Sequence, residues 1–173
     1  MSWSSTHTDT RSTEGTVFIV SADTLTVAIC ASGSVSVLYY NNMDWVSKGT
    51  DIKLPSVNEF GYNCAISGNG SKLAIVSNET HLKYKGTIHF YDWVSNNWVS
   101  NGILTNIDAS DTIFGFNLCL SSDASTLAVT EINTSTYNTN VYIYKYITNT
   151  WTPIFTINSN GFDMLGFLQL TLA

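Results

Sequence analysis

The chain repeats itself, and this constrains its fold more than any other feature. Residues 60–98, FGYNCAISGNGSKLAIVSNETHLKYKGTIHFYDWVSNNW, return from Phe114 to Trp151 as FGFNLCLSSDASTLAVTEINTSTYNTNVYIYKYITNTW. Phe60 and Phe114 are 54 residues apart, Gly86 and Asn140 are 54, and Trp98 and Trp151 are 53. A worn third copy lies upstream, where Ser21-Ala22-Asp23 aligns with Ser67-Gly68-Asn69 and Ser121-Ser122-Asp123. In that copy Val27-Ala28 aligns with Leu73-Ala74 and Leu127-Ala128, Gly33 with Gly86, and Trp45 with Trp98. A period of about 50 residues is the signature of stacked supersecondary units.

Each unit reads as four short strands. In residues 60–107 the first is Tyr62–Ser67, followed by a turn at Gly68-Asn69-Gly70 whose Asn-Gly pair is a strong hairpin signal. The second is Lys72–Ser77, the third Thr87–Trp93 and the fourth Trp98–Leu104, the last two joined through Ser95-Asn96-Asn97. Helical periodicity is absent. Val35, Ile88 and Tyr142, then Val37, Phe90 and Tyr144, align along the third strands, and the opposite faces are also far from uniformly polar. Sheets apolar on both sides stack on both sides. The expected class is all-β, with β-propeller-type four-stranded antiparallel blades: three full units plus partial flanking strands, a partial or split propeller.

The units divide the chain into a leader (1–13), three blades (14–59, 60–113, 114–164) and the first strand of a further blade (165–173). Trp3 is either the last-strand tryptophan of a preceding unit or a stray residue in a flexible leader. Three units leave open flanks where propellers close with four to eight blades. The chain is then an excerpt of a longer one, or another copy or another protein supplies the missing blades, or the units close as a three-sheet prism.

The recurring Phe-Gly-aromatic, S-x-D/N-x-x-x-L-A, G-x-I/V-x-x-Y and N-x-W elements resemble FG-GAP-like β-propeller repeats, which occur in surface and secreted proteins and in large DNA viruses. The resemblance covers residues 14–172, carried by Phe60-Gly61 and Phe114-Gly115, with Glu14-Gly15 standing in for them in the first unit. It implies a non-catalytic binding or scaffold module. Some members bind calcium in acidic loops, but such a cage needs several carboxylates in one loop. The matching turns, Asp23-Thr24-Leu25, Asn69-Gly70-Ser71 and Asp123-Ala124-Ser125, offer one carboxylate at most, so no metal or other cofactor is expected.

Charged residues make up only 12% of the 173 residues, with Ser, Thr and Asn in their place. That suits an extracellular module or a subunit packed into an assembly, and equally the taste of short strands and turns for these residues. A net charge of -6 argues against nucleic acid or an anionic membrane as partner. No apolar run is long enough for a membrane span, and MSWSSTHTDTRSTEG is not a signal peptide. Cys30, Cys64 and Cys119 are too widely spaced for a metal motif or a disulfide framework, and their apolar surroundings suggest buried free thiols.

Little catalytic chemistry is legible. His7 lies in the leader, His89 sits on a strand and reads as packing, and no Ser or Cys is paired with a His in a nucleophile motif. Asp108, Asp111 and Asp163 fall between units, where an acid pair for glycoside chemistry is conceivable. Binding is favoured instead, through the long second-to-third loops, which emerge at the same end as the connections between units. His81, Lys83 and Tyr84 of one unit and Tyr137 of the next, with Asp108 and Asp111, form the candidate set. Two solvated hairpin loops without a partner would look the same. Strand-ending Trp3, Trp45, Trp98 and Trp151 suit inter-blade packing better than sugar binding.

The expected function is thus a non-enzymatic structural or protein-binding module of a large assembly such as a virus particle, free of cofactor, with a protein partner or self-association completing the propeller. A cell-surface or secreted adhesion module binding protein or glycan is the first alternative, requiring an upstream signal and modified Asn78 or Asn133. A glycan-active hydrolase is the second.

Overall fold

A computed structural model describes residues 17–31, 33–55, 59–79, 85–105 and 112–158. Among them lie three antiparallel sheets, each an up-and-down series of neighbours in chain order. Blade 1 comprises β1 (Val17–Val20), β2 (Thr26–Ala31), β3 (Ser34–Tyr40) and β4 (Trp45–Ser47), with short β5 (Ile52–Lys53) also pairing β3. Blade 2 is β6 (Glu59–Ile66), β7 (Lys72–Glu79), β8 (Lys85–Val94) and β9 (Asn97–Thr105). Blade 3 is β10 (Thr112–Leu120), β11 (Thr126–Asn133), β12 (Thr139–Ile147) and β13 (Thr150–Asn158). The fold is all-β and propeller-like. The proposed flanking elements, Trp3 and residues 165–173, lie outside the described residues.

Two apolar cores lie between the blades. Ala28, Cys30, Val35 and Val37 of blade 1 meet Phe60, Cys64, Ile66, Leu73 and Ile75 of blade 2. Ala74, Val76, Ile88 and Phe90, on the other face of blade 2, meet Phe114, Leu118, Leu120, Leu127 and Val129. Alternation along β7 therefore sends Leu73 and Ile75 backwards and Ala74 and Val76 forwards.

The Phe-Gly motif is a β-bulge. Gly61 and Gly115 take φ of +83° and +85°, which only glycine adopts without steric cost. The ladders slip there, between Phe60 and Asn63 and between Phe114 and Leu118. Each bulge turns its phenylalanine into the seam with the preceding blade, where both rings are buried. Phe60 meets His89 and Tyr91 with ring centroids 5.6 and 6.4 Å away, and Phe114 meets Tyr142 and Tyr144 at 6.3 and 6.5 Å. The freed Phe60 carbonyl accepts from Gly33 N of blade 1 at 2.7 Å.

Those ring contacts correct the alignment of the third strands. Ala28 pairs Val37, Ala74 pairs Phe90, and Ala128 pairs Ile143 rather than Tyr144. Val141 and Ile143 thus correspond to Ile88 and Phe90, and Tyr142 and Tyr144 to His89 and Tyr91. The one-residue deficit lies in the β11–β12 loop, and a one-residue slip moves every side chain to the opposite face.

The cysteines need a second correction. Cys30 on β2 and Cys64 on β6 form a disulfide across the first seam, with Cα atoms 6.6 Å apart. They are remote in sequence but meet because the two faces stack. Cys119 is the free thiol, and burial pushes its pKa up to about 11.

Candidate functional site

At one end of the blades, the first-to-second turns form a chain of hydrogen bonds. Ser21, Ser67 and Ser121 each place a hydroxyl on the oxygen of Asp23, Asn69 or Asp123 two residues on. The same oxygens accept from the backbone N–H of Leu25, Ser71 and Ser125. This explains S-x-D/N as a turn device. The turns also clasp one another: Asp23 N donates to Gly68 O and Gly68 N to Ser122 O, both at 2.9 Å. Asp123 has its pKa held down to about 2, chiefly by the Ser121 hydroxyl.

Beside these turns, each seam opens into a groove. The groove between blades 1 and 2 encloses about 470 Å³ and is lined by Tyr39, Tyr40, Lys48, Trp93 and Asn96, among others. Lys48 lies with Nζ 5.5 and 5.8 Å from the Trp93 and Trp98 ring centroids and donates to Gly70 O. Burial lowers its pKa, against the opposing pull of Asp23. The groove between blades 2 and 3 is smaller, about 130 Å³, and in it the Asp92 carboxylate accepts from both Lys72 and Asn101.

Trp98 and Trp151 close these seams. Trp98 is buried, and its Nε1 donates to Lys48 O of the preceding blade at 2.9 Å. Trp151 stacks on Phe90 of the preceding blade, centroids 4.8 Å apart. Trp45, in the same position of blade 1, meets Tyr40 of its own sheet.

Towards the opposite end lie cross-strand polar pairs. Ser77 Oγ is 2.8 Å from His89 Nε2, a contact that no motif in the sequence signals. Ser77 has no exposed surface. The equivalent pair in blade 3 is Glu131 and Tyr142: buried Glu131 accepts from the Tyr142 hydroxyl at 2.7 Å and from Thr112 Oγ1 at 2.8 Å. Burial and this bond push Tyr142 up to about 12. The site therefore changes from Ser–His to Glu–Tyr while keeping its place behind the bulge phenylalanine.

Of the candidate binding residues, His81, Lys83, Tyr84, Asp108 and Asp111 lie outside the described residues. Tyr137 is exposed in the β11–β12 turn, with φ of 57° and its N–H on Asn133 O. Asn78, a proposed glycan acceptor, is buried in β7 at 4% exposure. Among the described residues, no three His, Cys, Asp or Glu side chains gather into a possible metal site.

The outer faces of the terminal blades are a feature that motif reading missed. Phe18 and Val20 on blade 1 are 61% and 55% exposed, and Phe155 and Ile157 on blade 3 are 62% and 52% exposed. Strand alternation was the available signal, but the sequence leaves open what lies beyond each unit.

No family model matches the chain, and no curated protein matches it. Solved structures do. A protein from Lactobacillus plantarum superposes with a TM-score of 0.57 at 14% identity, over 83% of this chain and 42% of that one. A structure described as the eukaryotic initiation factor superposes with a TM-score of 0.53 at 16% identity, over 83% and 32%. The chain thus spans less than half the length of either. These likenesses support the propeller fold.

Proposed function

We propose that this chain is a non-enzymatic, FG-GAP-like propeller module that works by protein contact, as a subunit or segment of a large assembly such as a virus particle. The observation that carries this reading is the contrast between sealed internal seams and open apolar flanks. Phe60 and Phe114 are buried between blades, whereas Phe18 and Phe155 are left in solvent. Exposed apolar faces of this kind mark interaction surfaces. Hydrogen exchange tests it: in the native assembly, amides of β1–β4 and β12–β13 should exchange more slowly than in the isolated chain. Unchanged exchange there would overturn the reading.

The disulfide favours a second reading, the cell-surface or secreted adhesion module. Such bonds persist outside reducing compartments, on virion and cell surfaces alike. Mass spectrometry of the mature protein distinguishes the two, since a glycan at Asn133 would place it in a secretory route.

A further inference from the structure

We infer that the partner at the open flanks is a second copy of this chain, joined head to tail, so that the front of blade 3 in each copy packs on the back of blade 1 in the other. The inference rests on the protein-contact reading above and specifies its partner. It follows from the strand register. Phe18 pairs Ile29 as Cys64 pairs Ile75 and Leu118 pairs Val129; Val20 pairs Val27 as Ile66 pairs Leu73 and Leu120 pairs Leu127. Tyr40 opposite Trp45 repeats Trp93 opposite Trp98 and Tyr146 opposite Trp151. At these positions the back of blade 1 therefore carries counterparts of the apolar set that blades 2 and 3 bury against a preceding blade, while the place of Phe60 and Phe114 falls outside the described residues.

The front of blade 3 carries the complement. Ala128, Val141 and Ile143 hold the places of Ala74, Ile88 and Phe90, which blade 2 buries against blade 3. Phe155 and Ile157 pair with Ile143 and Val141, so they extend the same face, and both are exposed. The described residues thus present, at their two flanks, counterparts of the two halves of the seam that they make twice between blades. Such a heterologous contact closes into a ring when its rotation permits. Two copies of the three sheets found among the described residues give six blades, within the range over which propellers close.

The test blocks one face at a time. Phe18→Lys/Val20→Lys spoils the back, and Phe155→Lys/Ile157→Lys spoils the front, all at exposed positions. By light scattering, the wild type should run at twice 19.0 kDa. Either blocked variant alone should associate roughly thirtyfold or more weakly. An equimolar mixture should recover the dimer, because one intact front then meets one intact back. Dimerisation of either blocked variant alone would overturn the head-to-tail arrangement. A monomeric wild type would overturn the second copy as partner; if flank amides are still protected in the native assembly, the broader reading survives.

Discussion

Cys30 and Cys64 are bonded across the first seam at the strand positions that Val76 and Leu118 occupy in the second. One seam is thus fastened covalently where the next is held by apolar packing. The bond closes a loop spanning a sequence separation of 34 residues.

The denatured, unreduced protein should therefore expose one reactive thiol, that of Cys119, and reduction should expose all three. Cys30→Ser/Cys64→Ser should lower stability to urea by about 2–4 kcal/mol. Cys30→Val/Cys64→Leu should cost less, because it installs the solution used by the second seam. Three reactive thiols without reductant, or equal losses in the two variants, would contradict this account.

The tryptophans share a motif but should differ in cost. Trp98 is buried and hydrogen-bonded to the preceding blade, so Trp98→Ala should cost about 3–5 kcal/mol. Trp45 meets Tyr40 at 5.6 Å, and its removal should cost the monomer only ~1 kcal/mol, the scale of one aromatic pair. Urea unfolding at low protein concentration measures both. Equal losses would mean that blade 1 is already backed within the chain.

Much of this architecture was legible because each blade reuses the same devices. Ser21-x-Asp23 and its two counterparts announce the turns, and Phe60-Gly61 and Phe114-Gly115 announce the bulges. Register was less legible. The reading Gly86–Asn140 hid a one-residue deletion in the β11–β12 loop, and only the cross-strand pairing of Ala128 with Ile143 reveals it. The Cys30–Cys64 bond was illegible for a different reason: it depends on two sheets stacking, and local pattern reports strands rather than their docking. Ser77 and His89 were missed for the same kind of reason, since cross-strand neighbours lie far apart along the chain. Of the candidate binding set, only Tyr137 falls among the described residues.

Gly86 should tolerate no side chain. A Cβ there would lie 1.6 Å from Phe114 O, a backbone atom fixed by the bulge of the next blade. Gly86→Ala should cost about 3 kcal/mol or more, at the upper end of overpacking penalties. Gly102 faces open space but has φ of +101°, so Gly102→Ala should cost about 1–2 kcal/mol through backbone conformation alone. Thermal melts of the two variants check the order. If Gly102→Ala were the more damaging, the close approach of β8 to the Phe114 bulge would be wrong.

Asp123 gives the fold a specific acid sensitivity. Its carboxylate accepts from the Ser121 hydroxyl and the Ser125 N–H, and these bonds hold its pKa at about 2, below the ordinary 3.8. A depressed carboxylate pKa means that the folded state binds the proton less readily than the unfolded chain. Its contribution is therefore complete above about pH 4 and is lost as pH falls through about 2. The place of Asp123 is held in blade 2 by Asn69, whose oxygen accepts the equivalent bonds without titrating. Asp123→Asn should keep the turn and remove this part of the pH dependence. The gap in urea midpoint between wild type and Asp123→Asn should stay constant from pH 7 to about 4, then shift against the wild type towards pH 2. A gap that stays constant to pH 2 would show that the Ser121 and Ser125 bonds do not hold the carboxylate ionised.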